Sequence, residues 1–252
     1  MQLDEYRIDV LVQGFPGRSV YHGGLGWGAV ALIRGRGRVA LIDAGSFGMR
    51  RLLIERLKAA GVSPAAVTDL ILTHAHHDHV VNWPLFGRAR IFVGGAELQW
   101  SLTQPPGETP VPEFTMQALQ RWPTLATLKD EDEAFPGLTA HLTPGHTPGH
   151  LSFVLAGRQH DVVFTADAAK NRAELVSRTT DMTYDAAVSA ASIAKIWGLW
   201  QRRPGSVLIP GHDVPMTQKG GRIAYVGNRE AAIKAWYGDD METTTLIDLT
   251  AP

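Results

Sequence analysis

The chain has no cysteine among its 252 residues. Disulfide frames, thiolate metal sites and thiol nucleophiles are excluded on that ground. Charged residues make up only 19%, and 24 Lys+Arg nearly balance 25 Asp+Glu. A broad nucleic-acid-binding face needs a basic excess that is missing here. No apolar run approaches the ~20 residues needed to cross a bilayer. The opening residues MQLDEYRIDV lack a cationic segment followed by an apolar one. The expectation is a soluble, cytoplasmic protein with a small-molecule substrate. With 44% hydrophobic residues, a chain of this length can bury a full core, and a single domain over 1–252 is expected.

The patterning predicts strands and helices in alternation. Residues 6–13 read as a strand, 19–28 as a glycine-rich loop, and the runs around Gly35-Arg36-Gly37 as a hairpin. Helical spacing covers 49–60 and stops at Gly61. Short buried strands are expected in TDLILTH and RARIFVGG. Five prolines interrupt residues 102–125. That stretch reads as an insertion with a helix at Glu113–Arg121: a lid, a homodimer contact or a passive surface excursion. Four strand-like runs follow, with a helix at about 184–201 capped by Thr183. A last helix is expected at Arg229–Trp236. The class is α/β, or a mixed sheet with helices outside.

What the chain does have is ten histidines, and their placement is informative. Residues 73–79 read Thr-His-Ala-His-His-Asp-His, directly after the apolar run Leu70–Leu72. In extended chain, His74 and His76 point the same way. Asp78 and His79 fall one turn on and can face a second point. Imidazole and carboxylate suit zinc, iron, manganese or cobalt. Three more ligand-type side chains, His146, Asp167 and His212, each follow an apolar strand-like run. The C-terminal ends of strands are where open α/β sheets build sites. Two divalent ions in such a site can share a hydroxide that is available at neutral pH. The expected reaction is hydrolysis, with Asp78 carrying the proton to the leaving group.

The pattern His74-x-His76-x-Asp78-His79, then His146, Asp167 and His212, resembles the metallo-β-lactamase superfamily. The LIDAG run with Asp43 matches the same family. The resemblance implies a four-layer αββα sandwich with two metal ions, most commonly zinc, at one edge. It implies that His74, His76 and His146 hold one ion, that Asp78, His79 and His212 hold the other, and that Asp167 bridges them. Asp43 and His150 would support these ligands.

Within the superfamily, antibiotic-cleaving enzymes lack the bridging aspartate, and one class uses a cysteine. The pattern TPGHTPGHLSF, Asp167-Ala168 and PGHD is closest to N-acyl homoserine lactone lactonases. Phosphoester or phosphotriester hydrolysis, or a glyoxalase II-like thioesterase, would suit the same site. Two departures stand out. Lys170 occupies a position where lactonases carry a substrate-facing tyrosine, and Val81-Asn82 replaces a Gly-Gly pair. Lys170 is expected to contact substrate as a cation. His22 and Trp27, in the glycine-rich loop, are the other expected substrate contacts.

Overall fold

In the strand Val30–Gly35, neighbouring side chains enter two different apolar cores. Val30 and Leu32 pack into one, and Ala31 and Ile33 into another. Leu41/Ile42 and Leu70/Ile71 divide the same way. A sheet with both faces apolar must be covered on both sides, and that dictates the layering.

The computed structural model describes residues 1–250. The first half runs β1 (Gln2–Leu3), β2 (Tyr6–Val12), a small hairpin of β3 (Arg18–Ser19) and β4 (Gly23–Gly24), β5 (Val30–Gly35) and β6 (Arg38–Ile42). Helix α1 (Arg50–Ala59) leads to β7 (Asp69–Ile71), then α2 (His77–Val80), β8 (Arg90–Gly94), α3 (Gly95–Leu102), α4 (Glu113–Gln120) and β9 (Leu125–Leu128). The second half runs β10 (Glu133–Phe135), β11 (Leu138–Leu142), β12 (Leu151–Leu155), β13 (Val162–Ala166), α5 (Arg172–Ser177), α6 (Ala186–Gln201), β14 (Val207–Pro210), β15 (Met216–Lys219) and β16 (Arg222–Tyr225). A hairpin of β17 (Ala232–Ala235) and β18 (Thr245–Asp248) ends the chain.

Two seven-stranded sheets result, ordered β1-β2-β5-β6-β7-β8-β9 and β10-β11-β12-β13-β14-β15-β16. Three cores separate four layers. Leu53 and Leu57 of α1 and Met116 and Leu119 of α4 pack on the outer face of the first sheet. Ile33, Ile71 and Phe92 meet Phe153, Leu155 and Phe164 between the sheets. Ile193, Ile196 and Trp200 of α6 cover the second sheet against Val163 and Leu208. The fold is the αββα sandwich of metallo-β-lactamases. No helix among the described residues is long and apolar enough to cross a membrane.

Strand direction positions the site. β6, β7 and β8 are mutually parallel, and so are β13 and β14. β11 lies antiparallel to β12, which lies antiparallel to β13, so β11 shares the direction of β13. The loops leaving these strands gather at one edge of the sandwich.

Local expectations fail in two places. The cap of α6 is Asp185, whose carboxylate accepts from the amides of Ala187 and Val188. Thr183 stands two residues before the cap, and its hydroxyl bonds the Gly145 carbonyl and the Ser189 hydroxyl on α6 instead of the helix's first amides. Residues 229–236 form no helix. Ala232–Ala235 is extended and pairs with Thr245–Asp248. The β-branched partner strand supplies a ladder that outweighs the weak helical spacing of this alanine-rich segment. The proline-interrupted stretch 102–125 forms the crossover from β8 to its parallel neighbour β9, with Val111, Met116 and Leu119 buried.

Candidate metal centre

The segment after β7 cannot continue as a strand, because Asp43 takes hold of it. Asp43, at the end of β6, accepts from the Thr73 amide (2.8 Å) and the Thr73 hydroxyl (2.9 Å). It also accepts from Nδ1 of His79 at 2.8 Å. Its backbone is left-handed, with φ +61°. Since the Thr73 hydroxyl donates to Asp43, the oxygen is left to accept from Nδ1–H of His74 at 3.0 Å. That fixes the tautomer and turns the His74 Nε2 lone pair inward. This Nε2 is buried with no hydrogen-bond partner, as are Nε2 of His79 and Oδ1 of Asp167. Buried atoms so orphaned are costly unless something else binds them. Donors of nitrogen and carboxylate oxygen converging on one point suit a divalent transition metal.

Seven of the residues singled out in the sequence meet here. Potential ligand atoms of His74, His76 and His146 lie within 4.8 Å of one another. So do those of His74, His79 and Asp167, and those of Asp78, His79 and His212. Asp167 stands between the groups, 3.3 Å from His79, 3.3 Å from His146 and 3.2 Å from His212. Asp78 Oδ2 lies 3.3 Å from His212 Nε2 and remains partly exposed. The residue before Asp167, Ala166, is held at φ +41°, strain of the kind that collects at functional sites. Gly211 precedes His212 because a β-carbon there would collide with the Asp167 carboxylate.

The surroundings set the charges. Burial holds His74 and His146 well below the usual histidine value and takes His76 down to about 4. In His79, burial opposes the charge, but Asp78, Asp167 and Asp43 override it and raise the pKa well above normal. His212 is raised by Asp167 and Asp78 against the same burial. Asp78 and Asp167 are resisted by burial yet pulled well down, mainly by His79 and His212.

His150 lies behind Asp167. Its Nε2 accepts from the Asp167 amide at 3.2 Å, so its Nδ1–H faces Thr143 at 3.0 Å. Burial lowers it to about 3 and keeps it neutral. His146 Nδ1 faces the Met182 carbonyl at 3.0 Å, leaving Nε2 for the cluster.

The three expected substrate contacts are placed differently. Lys170 Nζ is engaged, 3.0 Å from Glu174 and 2.7 Å from the Asp181 carbonyl. It ties α5 to the loop that presents Met182 to His146. Trp27 stacks on Phe15 at 4.8 Å and donates to the Gln13 carbonyl. His22 is exposed on the β3–β4 hairpin.

Two positioning residues escaped the sequence reading. Glu97, fully buried in α3, accepts from the Ala75 amide (2.8 Å) and the Gly149 amide (3.0 Å). It thereby clasps the loop of His74 and His76 to the loop of His146. Burial raises its pKa to about 7. Asn82 donates to the carbonyls of Ala44, Gly45 and Ser46 and so braces the loop behind Asp43. The only hint of Glu97 in the sequence is an acid inside the apolar run VGGAELQW.

An αββα sandwich with histidines and aspartates converging at one edge defines a class: metal-dependent hydrolases of the β-lactamase type. A family model of the metallo-beta-lactamase superfamily matches residues 24–212, and the chain belongs to that superfamily. Metallo-beta-lactamase domain-containing protein 1 of Xenopus laevis is 30% identical over 194 residues, 75% of this chain and 71% of that protein. The N-acyl homoserine lactonase AiiA of Bacillus thuringiensis subsp. kurstaki is 23% identical over 163 residues, 64% of this chain. The match spans only 62% of that lactonase's own length. Among solved structures, the dizinc quorum-quenching lactonase AidC superimposes with a TM-score of 0.66 at 18% identity, covering 91% of this chain and 93% of that one.

Proposed function

We propose that this metallohydrolase is dinuclear and opens a carboxylic ester, with an acyl-homoserine-lactone-like ring as the leading substrate. The observation that carries the reading is the position of Asp167, within 3.3 Å of His79, His146 and His212. His74, His76 and His146 are proposed to hold one ion, and Asp78, His79 and His212 the other, with Asp167 shared. Zinc is the leading metal, and iron, manganese or cobalt would suit the same donors. The lactonase names of AiiA and AidC support the substrate class.

When bound, such ions polarise the substrate carbonyl and acidify water at neutral pH. Asp78, held ionised by His79 and His212, is the proton carrier. It takes a proton as water adds to the acyl carbon and returns it to the leaving alkoxide when the acyl C–O bond breaks. The products are a carboxylate and a hydroxyl, with no change in oxidation state. Asp43 orients His79, and His150 steadies the Asp167 backbone. Trp100 lies beside His76, with the exposed Tyr184 next to it, an aromatic wall suited to an acyl chain. Lys170 reaches substrate only by releasing Glu174 or Asp181. Its proposed service in the closed arrangement is to hold the Met182 loop. His22 and Trp27 are proposed to meet the outer part of the substrate.

The test is kcat/KM for acyl-homoserine lactone opening by the metal-loaded protein. A value above about 10⁴ M⁻¹s⁻¹ is expected, in the range of true substrates. Asp78→Asn, assayed with metal in excess so that the weakened second ion is still bound, should lower it by about 10²–10⁴ fold. A value below about 10² M⁻¹s⁻¹, with faster turnover of an aryl phosphotriester or a thioester, would reject the lactone reading.

A further inference from the structure

The C-terminal hairpin is anomalous for an element of a folded domain. Every residue of β18 is exposed, and β17 alternates between exposed and half-buried. No other helix or strand packs extensively against it. It nevertheless carries Trp236, Tyr237, Met241, Leu246 and Ile247 in the open, with Tyr237 at 75% and Leu246 at 70% exposure. A two-stranded hairpin with no covering layer is marginal in water. Such a surface marks an interaction site.

The same chain has a matching receptor. A groove of about 740 Å³ runs beside β2, lined by Val10, Val12, Met49, Leu52 and Arg56. β1 covers that edge of β2 only at Tyr6–Arg7, and Ile8 bonds to Met1. By strand alternation the next outward-facing backbone groups belong to Val10. Among the described residues, no strand lies there. An edge left open in this way is a template for another strand.

Charge, size and position specify the occupant. The exposed face of α1 beside the groove carries Arg51, paired with Glu55, Arg56, paired with Glu230 of the same chain, and the exposed Lys58, the cation left to meet an acidic partner. The turn of the hairpin carries Asp239, Asp240 and Glu242 with no cation. The base of the hairpin, Glu230–Ala232, forms part of the groove's own rim. A twofold axis near that rim lays each hairpin over the other copy's groove, a self-complementary contact. The four residues of β17 span about 13 Å, enough to lie along the open second half of β2. Tyr237, Met241 and Leu246, each at least 70% exposed, with the half-exposed Trp236, supply the apolar anchors of such a contact.

We propose that the hairpin is an exchange arm: in a homodimer, β17–β18 of each copy seats in the β2 groove of the other. This inference does not rest on the substrate assigned above, although Trp27 lines the same groove.

Sedimentation equilibrium of the full, metal-loaded chain tests it. The wild type should have twice the mass of one chain. Leu246→Glu and, separately, Trp236→Glu should each weaken dimerisation by at least about 30-fold, as loss of an interface anchor does. Circular dichroism and metal content should not change. Phe114→Glu, on the exposed face of α4, should leave the dimer intact. A wild type that stays monomeric at about 100 µM overturns the proposal, whatever other protein or surface it binds. A dimer that ignores both arm substitutions, or that yields to Phe114→Glu, also overturns it.

Discussion

The two halves of the candidate metal centre carry the same imidazoles in surroundings that push their charge in opposite directions. In the half made by His74, His76 and His146, the outer nitrogens of His74 and His146 face neutral oxygens, the Thr73 hydroxyl and the Met182 carbonyl. Burial there outweighs the opposing pull of Asp167, and these rings stay neutral with a lone pair ready. In the half made by Asp78, His79 and His212, the rings face carboxylates. Asp43 holds one side of His79, and Asp78 and Asp167 crowd the other. Without a cation those carboxylates make the imidazoles keep protons. One half is therefore prepared for an ion, and the other demands a positive charge from some source. Neutral acceptors preorganise a ligand, whereas carboxylates couple its binding to proton release.

The comparison can be strained in order of expected effect. Chelating both ions removes whatever supplies the cation. At a thousandfold excess of ion over its Kd, binding contributes about 4 kcal/mol. Calorimetry should then show Tm falling by about 8–16 °C for each ion removed from a chain of this length. An unchanged Tm would mean that neither half binds an ion tightly.

Glu97→Ala should act on the neutral half. It strands the amides of Ala75 and Gly149, at about 1–3 kcal/mol for each buried group left unpaired. Tm should fall, and the ion assigned to His74, His76 and His146 should weaken more than the other. Asp43→Asn should do the reverse. It leaves His79 without its carboxylate and should weaken the second ion by about 10–100 fold, read by competition with a chromophoric chelator. Equal losses at both ions in either variant would erase the distinction between the halves.

Proton counting gives the smallest signal. In the metal-free protein the raised pKa of His79 and His212 stabilises the fold fully below about pH 6.5. That contribution is lost as pH rises through the raised values. An ion at this half must displace those protons, so its apparent affinity should fall as the solution is acidified. Titration calorimetry in buffers of different ionisation enthalpy should find proton release for this ion near neutral pH and almost none for the other. Equal release from both would contradict the comparison.

The layers of the sandwich and the residues that meet at the candidate site could be read from the chain because their signals are local. His74, His76, Asp78 and His79 sit within six residues of one another, and three further ligand types each follow an apolar run. Strand and helix periodicities along 30–59 and 186–201 are set by neighbours in sequence and are seen in the fold. Asp43 was visible for the same reason, at the end of a strand-like LID run.

Other features depend on groups distant in sequence. Glu97 is a buried acid whose purpose appears only when the amides of Ala75 and Gly149 arrive, 22 and 52 residues away. Asn82 in place of glycine makes sense only when three carbonyls of residues 44–46 surround it. The partners of Lys170, Glu174 and the Asp181 carbonyl, meet its amine only in the folded chain. Asp185 rather than Thr183 caps α6 because its carboxylate meets the amides of Ala187 and Val188, while Thr183 bonds Gly145 and Ser189. Residues 229–236 turned to strand because a partner strand was there to pair with. The sequence by itself determined which side chains could bind metal and the order of the elements, since periodicity and residue chemistry are properties of short segments. Tertiary structure decided which polar groups meet and what charge each carries. Burial and long-range hydrogen bonds do not exist until the two sheets close on one another.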